Sequence, residues 1–411
     1  MTPFPLPLTQ LFGHWGQYVI YFLIGVGFGA VLELAGFGNS KKLAAQFYFT
    51  DLSVLKVMFT AIVVAMVLVF GASALGLLDY NLVWVNHTYL WPGIVGGLIM
   101  GVGFIIGGFC PGTSLVSAST GKVDGLFFFL GALFGVFAFG ETVGLYDAFW
   151  HSSYMGRFTL MQWLNLDTGI VVVLVVLMAL FMFWGAEQLE HIFGGKEPKD
   201  APKWRYGAAG GLLALAVAVL VIGQPSTAER WARIAPEKEA QLAQRAVQIH
   251  PGELLELIHD SSLRVIMLDV RSQTDYNQFH ILDAQHVQPE ELPGLVGTLQ
   301  AQPANTVIVL MSNDEEAATD AWKFLVAESV PNVYILGGGI NGWLDTFADD
   351  EFRATHVVVG AAPDTLRYTF DAALGARHPA AKPDPHAYEL EYEPKVQLQI
   401  KRGPSGGGCG S

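Results

Sequence analysis

The chain has two cysteines, and both lie in unusual local sequence. Cys110 sits in GGFCPGTS, between a glycine pair and a proline, whereas Cys409 sits in GGGCGS at the C-terminal end of the 411 residues. Two cysteines so far apart, one of them in a tail, do not indicate a disulfide framework. Their chemistry is therefore that of single thiols, which can contact a ligand, carry sulfur or simply pack among apolar residues.

The segment around Cys110 predicts a broken helix. Pro111 has no amide hydrogen and disfavours helical geometry at the residue before it, and Gly108 and Gly112 add flexibility on both sides. We expect a second helix to start here, with Thr113 or Ser114 as its N-cap.

Such a break in a helix is expected to form a binding site for an anion. The restarted helix directs free amide groups and its positive dipole end at the break, and the same field favours thiolate over thiol at Cys110. Where a break lies at membrane depth, it must be buried in protein or line a cavity. The alternative is a cysteine packed among apolar residues beside a helix kink.

Six long apolar segments surround this motif. Each is close to or longer than the roughly 20 residues that a bilayer core requires, and almost no charges interrupt them, which argues against buried helices of a soluble protein. They lie at 18–37, 54–78, 92–119, 125–146, 168–187 and 206–223. We predict a polytopic α-helical membrane domain of about six spans, the third broken at Cys110–Pro111.

Polar and small residues within the spans leave several roles open. Glu33 and Glu141 lie in or near span ends, so each is either functional or an ordinary end-of-span carboxylate. Glycines at four-residue spacing predict close helix packing in the bundle. They include Gly93, Gly97, Gly101, Gly131 and Gly135.

The placement of basic residues predicts the orientation. One set of loops is basic and the alternate set has only Arg157, so the basic face is assigned to the cytoplasm. The basic residues are Lys41, Lys42, Lys56, Lys122, Lys196, Lys199, Lys203 and Arg205. With six spans, the soluble half is then predicted to be periplasmic.

Charge and pattern change sharply after the last span. Residues 1–224 carry nine Lys and Arg against 11 Asp and Glu, whereas the remainder carries 14 against 26. This acidic half argues against nucleic acid as a partner. The runs VIMLDV, TVIVLM and VYIL alternate with helical patterns such as ATDAWKFLVAE, which indicates a small soluble α/β domain.

These patterns divide the chain into four parts. They are a membrane domain at 1–224, a polar, helix-prone linker or stalk at 225–246, the α/β domain at 247–348, and a C-terminal extension at 349–411. In the extension YELEYEPKVQLQIK alternates like an extended strand. Its histidines His356, His378 and His386 lack ligand-like spacing, so we predict no metal and no cofactor.

The membrane half resembles the YeeE/YedE sulfur-transport family. The resemblance spans about residues 18–150 and is carried by LELAGFGNSKKLAAQFYFTDLSVLKVMFTA and GGFCPGTSLVSASTGKVDG. It implies movement of thiosulfate across the inner membrane through embedded cysteines. It makes Cys110 the pore cysteine and the broken helix a binding site for the anion. The residues of that helix are Gly108, Pro111, Gly112, Thr113 and Ser114.

The chain departs from larger members of that family in two ways. It holds one copy of a repeat that they carry twice, so a second copy of the chain is a candidate partner. It also has Gly38 where some relatives are expected to carry another cysteine.

The soluble half is similar to a rhodanese domain over about residues 246–348. LDVRSQTDY, FHILDAQHV, VIVLMSNDEEAATDAW and LGGGINGW carry the similarity. It implies that the position of the nucleophilic cysteine is Met311 and that the anion-binding loop continues through Ser312, Asn313, Asp314, Glu315 and Glu316. A thioether cannot become a persulfide, and the three acids would repel a sulfur anion. We expect a docking domain and not an enzyme.

The tail GPSGGGCGS has the composition of a mobile linker. It resembles the glycine-flanked terminal cysteine of the sulfur carrier in the Sox thiosulfate-oxidising system, which makes Cys409 a sulfur-carrier candidate. The alternatives are an incidental tail or a cloning scar.

Together these observations lead to the prediction of a membrane protein that transports a small sulfur species. Thiosulfate is the preferred candidate, and sulfide and polysulfide are the alternatives. Expected partners are membrane lipid, a second copy of the chain, and a periplasmic sulfur-carrier or redox protein. The alternative function is a non-transporting membrane anchor that presents a sulfur-carrier or docking module to a redox or sulfur-oxidation complex. A true sulfurtransferase is the third possibility, and Met311 argues against it.

Overall fold

The computed structural model describes residues 4–6, 8–83, 85–195, 204–358, 360 and 362–398. It contains two compact units, one formed mainly by Thr2–Gln224 and the other by Pro225–Gly403. Cys409 and the basic residues Lys196, Lys199 and Lys203 lie outside the described residues.

The first unit is helical throughout its described part. Its helices are α1 (Leu8–Leu34), α2 (Ser40–Ala45), α3 (Ser53–Ala74), α4 (Leu90–Gly107), α5 (Pro111–Ser119), α6 (Val123–Thr142), α7 (Asp147–Trp150), α8 (Leu160–Leu164), α9 (Thr168–Gly194) and α10 (Trp204–Ile222). Six segments of the described chain are long and apolar enough to cross a membrane, which confirms the predicted spans.

The first span begins earlier than predicted. Its apolar segment starts at Leu11 and not at residue 18, because α1 continues through a stretch that contains His14 and Gln17. Gly13 interrupts that stretch with non-helical angles (φ 71°, ψ 176°), so α1 is kinked close to its start.

Two apolar clusters hold the membrane unit together. One joins α3, α9 and α10 through branched residues such as Val67, Val176 and Val219, and the other joins the turns after α1 and α4 through Phe37 and Phe109. The glycine prediction holds within the described chain for Gly107, which lies against the Phe128 ring, but not for the other glycines at this spacing, where an added Cβ would meet no atom within 4 Å. They include Gly93, Gly97, Gly101, Gly131 and Gly135.

The second unit is an α/β domain, as predicted. Its helices are α11 (Thr227–Ala243), α12 (Pro251–His259), α13 (Gln273–Gln278), α14 (Leu292–Gln300), α15 (Glu316–Ala327), α16 (Gly339–Phe347) and α17 (Asp350–His356). Its strands are β1 (Gln248–Ile249), β2 (Arg264–Asp269), β3 (Gln285–His286), β4 (Thr306–Met311) and β5 (Val333–Leu336). In the described residues they form a parallel sheet of order β1-β5-β4-β2-β3.

The centre of this sheet explains its sequence pattern. Every residue of β4 is buried, because β2 and β5 flank it and α15 packs against it. Val265 of β2 pairs with Val307 of β4, and Val309 of β4 pairs with Tyr334 of β5. This register brings the end of β4, at Met311, opposite Asp269 at the end of β2.

The segment 225–246 belongs to the same compact unit as the sheet. It forms α11, capped by Ser226, whose side chain and that of Glu229 form a capping box. Trp231 of α11 packs edge-on against Trp322 of α15, and Arg230 forms an ion pair with Glu328.

The C-terminal extension packs along the α/β domain. The backbone amides of Lys395 and Val396 both donate to Oε1 of the buried Glu253, at 2.8 Å, and Gln397 exchanges hydrogen bonds with the Tyr334 hydroxyl. Residues 388–398 form no strand, because these amides bond to side chains and not to a neighbouring strand.

Candidate functional site

The predicted break in the third span is present. α4 ends at Gly107, Gly108 adopts a left-handed conformation (φ 71°), and α5 begins at Pro111. An added Cβ on Gly108 would lie 3.1 Å from the backbone oxygen of Ser40, so this turn is pressed against the start of α2. Glycine is the residue that tolerates both conditions.

The break lies part-way along the neighbouring span. The ring of Phe128, in the second turn of α6, lies directly over Gly107, and the rings of Phe109 and Phe128 are 5.9 Å apart. Ser117 of α5 packs against Gly125 near the start of α6. α5 therefore runs alongside the first turns of α6.

Cys110 itself is the N-cap of α5, so the prediction that Thr113 or Ser114 caps this helix is wrong. The backbone amide of Thr113 donates to Cys110 Sγ at 3.4 Å, and the Cys110 amide donates to Thr113 Oγ1 at 2.9 Å. The physical reason is Pro111, which fits the first helical position and so makes the preceding residue the cap. Thr113 completes a capping box.

The polar groups of the break converge on the cysteine. Thr113 Oγ1 lies 3.3 Å from Sγ, the Ser114 amide donates to the Cys110 carbonyl at 3.0 Å, and the Ser114 hydroxyl donates to the Pro111 carbonyl at 2.7 Å. Cys110 is half-buried, whereas Thr113 and Ser114 are buried. The sulfur atom thus occupies the positive end of a nine-residue helix.

A second turn of the same kind follows α1. AGFGNS at 35–40 parallels GGFCPG at 107–112, and Gly36 also has a left-handed conformation (φ 83°). Phe37 and Phe109 are both almost completely buried, in the same apolar cluster. The repeated Gly-Phe pair is the sequence signal for this second turn.

A lysine–glutamate pair closes the turn after α1. Lys122 Nζ lies 3.3 Å from Glu33 Oε1 and donates to the Gly38 carbonyl at 2.8 Å. A side chain at position 38 would collide with the Glu33 carboxylate. Glu33 is therefore an ion-paired carboxylate at a span end, while Glu141 is exposed near the end of α6.

A further carboxylate in a span, Glu190, is not apparent from the sequence. It is buried near the end of α9, where Oε1 accepts the Leu52 amide and Oε2 pairs with Lys56 Nζ, each at 2.6 Å. It thus caps the start of α3. No local signal could identify it, because its partners lie more than 130 residues earlier in the chain.

In the α/β domain, the loop after β4 has few exposed groups. Met311 is fully buried, Ser312 and Asn313 are nearly so, and the loop ends where α15 begins at Glu316. Buried Arg271 pairs with Asp269 at 2.7 Å and donates to Asn313 Oδ1 at 3.2 Å. The loop is thus fixed to the end of β2.

Two of the three acids in this loop have cationic partners. Glu315 pairs with Arg245 at 2.6 Å and also accepts the Gly338 amide, and Asp314 Oδ1 lies 3.4 Å from a guanidinium nitrogen of Arg367. Their negative charge is therefore partly compensated within the domain. Within the described ranges, no cluster of histidine, cysteine and carboxylate side chains is suited to a metal ion.

These features define a class of protein: a multi-pass membrane protein with one span interrupted at a cysteine cap, followed by a soluble α/β domain with a rhodanese-like sheet. A family model for sulphur transport matches residues 34–243, just over half of the chain, and the chain belongs to that family. A model of the rhodanese-like domain matches residues 250–346. Neither curated proteins nor solved structures gave a match.

Proposed function

We propose that this chain transports thiosulfate across the bacterial inner membrane and that Cys110 contacts the terminal sulfur of the passing anion. One observation carries the proposal: in a member of the sulphur transport family, a cysteine sulfur caps a half-helix inside a broken span. A helix N-terminus stabilises negative charge, and the thiol is the sulfur-containing group available there.

The geometry suggests a reversible contact. The Thr113 amide donates to Sγ at 3.4 Å, and because a thiol sulfur is a weak acceptor, a passing anion can replace it. Pro111 is exposed and Gly112 is partly exposed, so an anion can approach the start of α5 closely. No bond needs to form or break between Cys110 and the cargo.

For the α/β domain we propose a non-catalytic role as a periplasmic docking domain. The buried thioether of Met311 stands at the end of β4, where the rhodanese resemblance places the nucleophile. The purified chain is then expected to form no thiocyanate from thiosulfate and cyanide. Thiocyanate formation above the buffer background would contradict this role.

A second copy of the chain completing the pathway and a sulfur-carrier role of Cys409 are parts of the same proposal. In the carrier role, the Cys409 thiolate takes the sulfane sulfur of thiosulfate and sulfite leaves. Intact mass measurement of wild type and Cys409→Ser after exposure to thiosulfate tests this step, which requires one added sulfur atom in the wild type alone.

Uptake of labelled thiosulfate by cells tests the transport role. Cys110→Ser keeps a capping oxygen at the start of α5 but removes the sulfur, so we expect normal membrane levels and loss of uptake. Ser119→Ala is a matched control, because Ser119 lies in the same helix and its hydroxyl donates only locally, to Val116. Unchanged uptake in Cys110→Ser would remove the proposed role of Cys110.

A further inference from the structure

The loop after β4 is occupied by another part of the same chain. The carboxylate of Asp364, 50 residues downstream, accepts the Asp314 amide at 2.6 Å through Oδ1 and the Ala317 amide at 2.8 Å through Oδ2. Asp364 belongs to the C-terminal extension. We call residues 362–370 of that extension the strap.

Buried asparagines fix the strap on the loop. Asn313 Nδ2 donates to the Asp364 carbonyl at 3.1 Å, and Asn341 Nδ2 donates to the Thr365 carbonyl at 2.9 Å. The Arg367 amide donates back to Asn341 Oδ1 at 2.8 Å. Both asparagine side chains are at least nine-tenths buried, so these bonds are shielded from water.

The backbone conformation and the amide hydrogen bond of Asp364 also indicate that this residue is fixed on the loop. Its φ of 50° is left-handed, a conformation that few residues other than glycine adopt but that aspartate tolerates. The Asp364 amide points back to Asp314 Oδ2 at 3.2 Å. Asp314 and Asp364 therefore bind each other reciprocally, each through its amide and its carboxylate.

The backbone amides of Asp314 and Ala317, which the Asp364 carboxylate accepts, are donors of the kind that bind small anions. They lie between the end of a buried parallel strand and the first turn of the 12-residue helix α15, where backbone amides and the helix dipole favour negative charge. A carboxylate bound by two amides makes charge-assisted hydrogen bonds. Arg245 and Arg367 offset the nearby Glu315 and Asp314.

We propose that the strap is autoinhibitory: it keeps the Asp364 carboxylate on the amides of Asp314 and Ala317 and thereby excludes small oxyanions from this loop. The loop is still an anion site, and its occupant is supplied by the chain itself. The proposal does not depend on transport by the membrane unit.

Hydrogen exchange of the full chain in detergent, with and without sulfate as the probe, tests the proposal. In Asp364→Ala the amides of Asp314 and Ala317 lose their acceptors, and their exchange is expected to rise at least about tenfold. Sulfate should then restore their protection. Wild type and the matched control Asp371→Ala, which removes an exposed carboxylate from the same extension, should be protected with or without sulfate.

Three results would overturn the proposal. They are continued protection of both amides in Asp364→Ala, failure of sulfate to restore protection there, and an equal response to sulfate in the wild type. Exchange in β4 shows whether the variant is folded. If Asp364→Ala loses protection in β4, Asp364→Asn replaces it, because it keeps the size of the side chain but leaves one acceptor oxygen in place of two, so that at least one of the two amides should exchange faster.

Discussion

At the scale of single residues, the position of Cys110 depends on the proline that follows it. Pro111 starts α5, and Cys110 thereby becomes the residue whose sulfur accepts a backbone amide. The sequence was sufficient to locate the break and the thiol. It did not reveal that the sulfur itself is the cap, because serine and threonine are much commoner caps and two of them follow within four residues.

Two histidines in the α/β domain predict a pH dependence of its stability. Burial lowers the pKa of both His250 and His378, and each ring accepts a backbone amide through Nδ1, from Gly252 and Ala380 respectively. The folded domain therefore favours the neutral rings. Their contribution to stability is complete above the ordinary value of 6.5 and is lost as the pH falls below it.

We expect the unfolding temperature of the α/β domain in the full chain to fall as the pH decreases from 7.5 towards 5.5. Asparagine also accepts an amide at a cap but does not titrate, so the double variant His250→Asn/His378→Asn should show a smaller fall. His386→Asn is the control. An identical pH profile in the double variant and in the wild type would show that these rings are not the cause.

At the scale of elements, the broken third span depends on a glycine. Gly108 has a left-handed conformation, which disfavours any side chain, and it touches the backbone of Ser40. A methyl group at this position would therefore both strain the backbone and crowd Ser40. Gly108→Ala should reduce the free energy of unfolding by about 1–2 kcal/mol. It should also reduce thiosulfate uptake, because α5 must shift.

Gly103→Ala is the matched control for this variant. Gly103 lies in the same span, inside α4, and an added Cβ there meets no atom within 4 Å. Thermal unfolding in detergent should show wild-type stability for Gly103→Ala. Equal stability of Gly108→Ala and Gly103→Ala would contradict the role of this turn.

The sequence predicted most elements because their patterns are local. Six apolar runs of about 20 residues indicate membrane spans, and the continuous apolar run of β4 indicates a buried parallel strand. Contacts between distant segments leave no such pattern. Glu190 with Leu52 and Asp364 with Asp314 are pairings of this kind, so the sequence alone did not reveal them.

At the scale of the whole molecule, the described basic residues of the membrane unit collect at one end of the bundle. Lys122 contacts the turn after α1, Lys56 contacts the end of α9, and Arg205 pairs with Glu187 of α9. These contacts agree with the alternation of basic loops in the sequence. Among the basic residues that the structure describes in this unit, Arg157 is the exception, because it contacts the opposite end at Tyr80.

This distribution predicts that the basic end is cytoplasmic and that the α/β domain is periplasmic. In a background without native cysteines, exposed Glu351→Cys should react with an impermeant maleimide when only the outer membrane is permeabilised. Exposed Lys41→Cys should react only after the inner membrane is opened. The reverse pattern would invert the proposed topology.

The most direct test of the central claim is thiosulfate flux into proteoliposomes that contain this chain alone. We predict uptake of labelled thiosulfate by the wild type and by Ser119→Ala, and uptake at the level of empty liposomes for Cys110→Ser. Absence of flux in the wild type, together with stoichiometric partner subunits after mild detergent extraction, would instead favour the membrane anchor. Full flux in Cys110→Ser would contradict a transport path through the broken span at Cys110.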